Sequence, residues 1–273
     1  MTRLTICLDD LGLHAAVNAA AVRLAGLGRL DAVSAMVGAP GWAEARTQLA
    51  AFVPGRVDVG LHLDLTEAPL RPRQRHGLKA LLVRAALHAL PAAALRDEIE
   101  AQLDAFEDAR GAPPDHVDGH QHVHQLPQVR DALLAALQRR YPQRPPWLRA
   151  TFHAANLVAP AGAGAGAWLK PRVIEALGAA GLARRARAAG QAQNRRLLGV
   201  YDFTGGAPGY ARWLAAWLDA ARDGDLLMCH AALGEVPGDP IAAARHAEAQ
   251  VLAGDAFEAA LAGRGLSHGV LRR

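Results

Sequence analysis

Cysteine, lysine and aromatic side chains are all scarce in this chain. Of 273 residues only Cys7 and Cys229 are cysteine, each within an apolar run ("TICLD", "LLMCH"), which excludes a disulfide framework and reads as two buried thiols. Lysine occurs only at Lys79 and Lys170, so arginine carries nearly all the positive charge. Aromatic residues make up 5% and the formal net charge is only +4, which leaves little material for a base-stacking surface; no nucleic-acid partner is expected. The Arg-rich stretch "ARRARAAGQAQNRR" (183–196) reads as a solvated helix face. Long apolar runs are also missing, and "MTRLTICLDD" lacks the apolar region of a signal peptide. The expectation is a cytoplasmic protein without an integral membrane segment.

What is present is apolar substance: 51% of residues, enough for a large core in one domain or in two smaller ones. Short β-branched runs alternate with Ala/Leu-rich helical stretches. Strands are predicted at "LTICLD" (4–9), "AVSAMVG" (32–38), "VDVGLHLDLT" (57–66) and "DLLMCHA" (225–231). Helices are predicted after the first two, over 94–109 where Leu95, Ile99, Leu103 and Phe106 keep helical spacing, from Pro127 through "PQVRDALLAALQRRY", and through 240–262. Such alternation predicts a parallel sheet, open or closed into a barrel, with its active site at the C-terminal strand edge. Residues 67–93 read as a long loop, and the Gly/Ala segment 152–170 as a mobile, lid-like interruption. No repeat or linker divides the chain, so residues 1–273 are expected to form a single domain.

The densest chemistry lies in "DHVDGHQHVH" (115–124), which holds four of the chain's 12 histidines. Imidazole and carboxylate are the usual ligands of Zn²⁺ and similar ions. An extended segment points His120, His122 and His124 to one face; a curved one makes them diverge. Asp118 suits orientation of a ligand imidazole, and His116 a structural place. Asp9 and Asp10 end the first predicted strand, either as turn formers or as a pair in which one carboxylate binds a cation and the other accepts a proton. His62 lies late in the third strand with Asp64 and Glu67 nearby, and His230 ends a late one, buried or acting as a general acid. His14 and His153 also follow predicted strand ends. Trp147, Phe152 and Trp168 either pack or face a sugar ring, and Arg71, Arg73, Arg75 and Lys79 charge the long loop.

Taken in order, "DDLGLHAAVNAA", "VGLHLDLTE", "HVDGHQHVHQLP" and "LLMCHAA" resemble the YdjC-like carbohydrate deacetylases, which include chitooligosaccharide and hopanoid-biosynthesis deacetylases. The resemblance runs from the first strand to at least residue 232. It implies an α/β fold: a single-domain, deformed parallel (β/α) barrel of the polysaccharide-deacetylase-like type. It further implies one divalent metal ion (Zn²⁺, with Mg²⁺, Mn²⁺ or Co²⁺ as alternatives) and hydrolysis of an N-acetyl group from an amino sugar, glycan or glycolipid. Carried over by motif, Asp10, His62 and His120 are the metal ligands, Asp9 the general base and His230 the acid, with His122, His124 and Asp118 orienting ligands or substrate. A homodimer is compatible with the family. The chain departs from the family pattern at Leu11, where Phe is usual, at His14, where Ser is usual, and at Ala231, where Pro is usual. Two other functions use the same residues: a phosphoesterase or cyclic-amide hydrolase built on the Asp/His set, and a sugar-binding protein without catalysis.

Overall fold

The computed structural model describes residues 2–271, apart from the side chains at 165 and 167. In chain order the elements are β1 (Thr2–Leu11), α1 (Ala15–Gly26), β2 (Ala32–Ala35), α2 (Trp42–Ala45), β3 (Asp58–Leu63), α3 (Leu78–Ala86), α4 (Ala92–Arg110), β4 (His116–Gly119) and α5 (Pro127–Arg140). They continue as β5 (Trp147–Leu148), α6 (Ala165–Ala176), α7 (Ala179–Ala188), β6 (Leu197–Leu198), α8 (Gly206–Ala220), β7 (Leu226–Cys229), α9 (Ala242–Ala253), α10 (Asp255–Ala262) and β8 (Leu266–His268). The strands form one parallel sheet in the order β5-β4-β3-β2-β1-β7-β6, with β8 paired to the start of β1. Two isolated bridges, Leu148 to Gln193 and His153 to Leu197, join the ends of that path. The sheet is therefore a deformed parallel barrel with a thin seam between β5 and β6. No helix among the described residues is long and apolar enough to cross a membrane.

Strand alternation builds two cores. One face of the strands (Ile6 and Leu8 of β1, Val33 of β2, Val59 and Leu61 of β3, Val117 of β4) packs under the helices, where α4 buries Leu95, Ile99, Leu103 and Phe106 as their spacing predicts. The other face fills the barrel with Cys7, Ala32, Trp147, Leu197, Leu226 and Met228. Both thiols are buried, and burial pushes each pKa well up. Towards the C-terminal strand edge the interior turns polar, with Asp9, Ser34, His62, His116, Asp118 and Arg149 all buried. Gly60 makes the room this needs: a Cβ there would sit 2.4 Å from the His116 ring.

Three sequence expectations change. Residues 67–93 are no plain loop, because a short 3₁₀ turn at Pro72–Gln74 and α3 both lie within them. The Gly/Ala segment gives way to α6 at Ala165, so Trp168 and Lys170 are helical. The run 240–262 breaks at Gly254, whose extended backbone (φ −76°, ψ 152°) caps α10.

Candidate metal and catalytic site

Adjacent strand residues normally face opposite ways, yet Asp9 and Asp10 both turn to the barrel mouth. The β1–β2 register slips between Leu8 and Leu11, and Asp10 takes a left-handed backbone (φ 67°), which rotates its carboxylate round the strand end. Asp9 is gripped at both oxygens by Arg149, Nη1 to Oδ2 and Nη2 to Oδ1, each at 2.6 Å. Nη2 also reaches Asp118 Oδ2 at 2.5 Å. Arg149 follows β5 directly and is fully buried; the planar fork lets one cation satisfy two carboxylates. Burial opposes its charge, but Asp118 and Asp9 outweigh burial and hold its pKa well up.

Asp10, His62 and His120 form a second set, their ligand-type atoms within 4.8 Å of one another. Asp10 Oδ1 lies 3.0 Å from His120 Nδ1 and 3.4 Å from His62 Nε2, while Oδ2 accepts from Arg245 Nη2 at 2.7 Å. Register places the support: His62 pairs with Asp118 across β3 and β4, and its Nδ1 meets Asp118 Oδ1 at 2.6 Å. Ser34 Oγ donates to the other Asp118 oxygen at 2.7 Å. The carboxylate thus holds the Nδ1 proton and presents Nε2 to Asp10, the arrangement by which carboxylates orient ligand imidazoles. Burial works against a charged His62, but Asp118, Asp9 and the hydrogen bonds overcome it and push the pKa up to about 10. His120 is raised too, burial again being outweighed by Asp10. Two imidazoles that draw extra protons beside a carboxylate make a site that favours positive charge, and a bound cation displaces those protons. The donor chemistry therefore fits a divalent ion. The sets Asp9–His62–Asp118 and Cys7–His116–Asp118 also lie close enough, but Arg149 already sits on Asp9, Asp118 and Cys7 (Nη2 to Sγ, 3.1 Å).

The histidine cluster does not stay extended. After Gly119 the chain turns into a 3₁₀ segment, His120–Gln125, with Gln121 (φ 52°) and His122 (φ 60°) left-handed, so the alternating spacing fails to set three imidazoles on one face. His120 joins Asp10. His124 is buried and donates from Nε2 to the Arg149 carbonyl at 2.9 Å, orienting Arg149 rather than the donor set. His122 is driven well below its usual pKa by burial and then by Arg149, and its Nδ1 is buried without a hydrogen-bond partner among the described residues. His116 stacks on Trp147 with centroids 4.3 Å apart and bonds Ser34, a structural place as expected. Trp147 is fully buried and offers no face to a sugar, whereas Trp168 is exposed. Asp64 caps the following loop through the amides of Thr66, Glu67 and Ala68. His14 caps α1 by accepting the Ala16 amide at 3.2 Å, the work a Ser does well at that position, and His153 pairs with Glu175.

His230 follows β7 and stands edge-on to Phe203 at 5.3 Å. Burial pulls its pKa down to about 4, so the resting imidazole is neutral. Sequence reasoning missed Arg149, Arg245, Ser34 and Glu248. Arg245 and Glu248 sit one turn apart on α9, and that three-residue spacing was the available signal.

A YdjC-like protein family model matches residues 3–263. Chitooligosaccharide deacetylase of Proteus mirabilis (strain HI4320) is 35% identical over 132 residues, 46% of this chain and 51% of the relative. Carbohydrate deacetylase of Mus musculus is 36% identical over 150 residues, 50% of this chain and 47% of the relative, so the chain spans about half the length of the curated relatives it matches. Among solved structures, an Enterococcus faecalis V583 protein named for cellobiose-phosphate cleavage superposes with a TM-score of 0.69 at 20% identity, covering 98% of this chain and 97% of that one. The lactam utilization protein of Thermus thermophilus gives 0.54 at 16% identity, covering 99% and 100%. These two likenesses show the fold. With the family match reaching over nearly its whole length, the chain belongs to the YdjC-like protein family.

Proposed function

We propose that the chain is a metal-dependent carbohydrate N-deacetylase, which hydrolyses the acetamide of an N-acetylated amino sugar or glycolipid and releases acetate. One observation carries the reading: the Asp10–His62–His120 donor set stands beside a second carboxylate, Asp9, that is held separately by Arg149. The names of the curated relatives support the substrate class.

Asp10, His62 and His120 would hold the divalent ion, Zn²⁺ fitting the mixed donors and Mn²⁺, Co²⁺ or Mg²⁺ being the alternatives, and when bound it would supply Lewis-acid polarisation and a lowered water pKa. Asp9 accepts the proton of the attacking water at Oδ2, which commits one lone pair to Arg149 and keeps another, whereas Oδ1 accepts from both Arg149 and the Cys7 thiol. His230, neutral at rest, takes up the proton that Asp9 accepted from the water and gives it to the nitrogen as the C–N bond breaks; the amine leaves uncharged, acetate keeps the water oxygen, and His230 returns to its neutral form. His120 and His230 are the partly exposed members of the site, with side chains 16% and 13% accessible, and they mark the side from which substrate arrives.

The test is metal content after Zn²⁺ loading and desalting, paired with acetate release from N-acetylated sugars. Wild type is expected to retain a single ion, His62→Ala and His120→Ala to lose it, and Asp9→Asn to keep it while losing roughly 10²–10⁴-fold in rate. A folded wild type that holds no ion, or an Asp9→Asn enzyme of undiminished rate, refutes the proposal.

A further inference from the structure

Glu248 lies on α9, is fully buried, and belongs to no part of the donor set. Its Oε2 accepts the backbone N–H of His230 at 2.5 Å, and its Oε1 accepts the Tyr201 hydroxyl at 2.8 Å. That same Oε1 stands 3.9 Å from His230 Nδ1, a buried ring nitrogen with no hydrogen-bond partner among the described residues. The gap is too long for a hydrogen bond, and a buried nitrogen left unpaired is costly. Glu248 is anchored at both oxygens, so closing the gap falls to the imidazole.

We infer that Glu248 is the positioning residue of His230: it keeps the ring proton on Nδ1, turns Nε2 away from itself towards the reacting nitrogen, and stabilises the imidazolium that His230 becomes in turnover. This rests on the reading of His230 as the acid. The surroundings agree. Facing His230 are Asp10 and Asp9 from β1, Arg245 from α9, Lys170 from α6 and His122 from the 3₁₀ segment. Facing Glu248 are Tyr201, Arg245 and Asp9, and its charge in turn reaches Tyr210 of α8 and Cys229 of β7. Burial drives the pair in opposite directions, His230 down to about 4 and Glu248 up to about 7, so a charge appearing on one is settled by the other. Buried carboxylates play this part for catalytic histidines elsewhere.

The test combines ¹⁵N spectra of histidine-labelled protein with the pH profile of acetate release, in wild type, Glu248→Gln and Glu248→Asp. Neutral His230 is expected as the Nδ1–H tautomer in wild type and as a mixture shifted towards Nε2–H in Glu248→Gln. The Gln variant is expected to lose about 10-fold in kcat, less than the roughly 10²–10⁴-fold of general acid catalysis as a whole, with KM unchanged and the alkaline limb moved to lower pH; Asp restores part of both. An Nε2–H tautomer in wild type, or a Gln variant with an unmoved profile, overturns the inference. Failure of the acid reading shows separately: His230→Asn with wild-type kcat removes the acid whatever tautomer the spectra report, and the catalytic half of the inference falls with it.

Discussion

Arg149 is fully buried and touches Asp9, Asp118, Cys7 and Ser34 with one guanidinium. Such a group adds little net stability while its partners are present, yet its removal leaves two buried carboxylates uncompensated. Arg149→Met is therefore expected to cost about 3–5 kcal/mol in chemical denaturation. Burial alone would raise the Asp118 pKa, but Arg149 and His62 hold it well below the carboxylate range, so the deficit should shrink on acidification as the freed carboxylate takes up its proton. A deficit that is small and independent of pH would contradict this account. Asp9, Asp10, His62, Asp118, His120 and His230 could be picked out from the sequence because polar residues at the ends of apolar strands stand out. Arg149 could not, because one arginine among many after a two-residue strand has no spacing to mark it. The divergence of His120, His122 and His124 was hidden for a different reason: left-handed Gln121 and His122 have no glycine to announce them.

Elements were legible in proportion to their periodicity. β1, β3 and α4 emerge from the sequence close to their observed bounds, while β5 and β6, two residues each, offer no pattern to read. β8 went unnoticed as well, and it is tied down by charge as much as by its three residues. His268 Nδ1 lies 2.9 and 3.0 Å from the two oxygens of Asp31, and Asp31 also accepts the Ile6 amide at 2.8 Å, so β8, β1 and the start of β2 meet at one carboxylate. Burial opposes the charged imidazole, but the Asp31 hydrogen bond and charge prevail and raise the pKa above 6.5. Stability from this pair is complete below the unfolded value and is lost as pH rises through the folded one. The advantage of wild type over His268→Gln in urea unfolding should be largest below about pH 6.5 and fade as pH rises above it. An advantage that grows with pH would reverse the assignment.

At the scale of the molecule, the parallel ladder is continuous from β5 through β1 to β6, and closure rests on bridges such as Leu148 N–H to the Ala192 carbonyl and Leu197 N–H to the Phe152 carbonyl. Local opening follows the distribution of such bonds. Amide exchange is expected to be faster at Leu148 and Leu197 than at Ile6, Leu8, Val33 or Leu61, whose strands have ladders on both sides. Equal protection at the two places would show the closure to be as firm as the rest. The parallel sheet followed from strand–helix alternation and the barrel from the family resemblance, but where it joins followed from neither, since a pair of bridges leaves no trace in composition.

That thin closure divides the ring unevenly. Asp10 and His62 on β1 and β3, His120 after β4 and His230 after β7 all belong to strands paired on both sides, whereas Arg149 directly follows β5 at the seam. The molecule is built like a cuff with one rigid half and one fastening. The three donors belong to the half whose strands are braced on both sides, and Arg149 to the half beside the fastening.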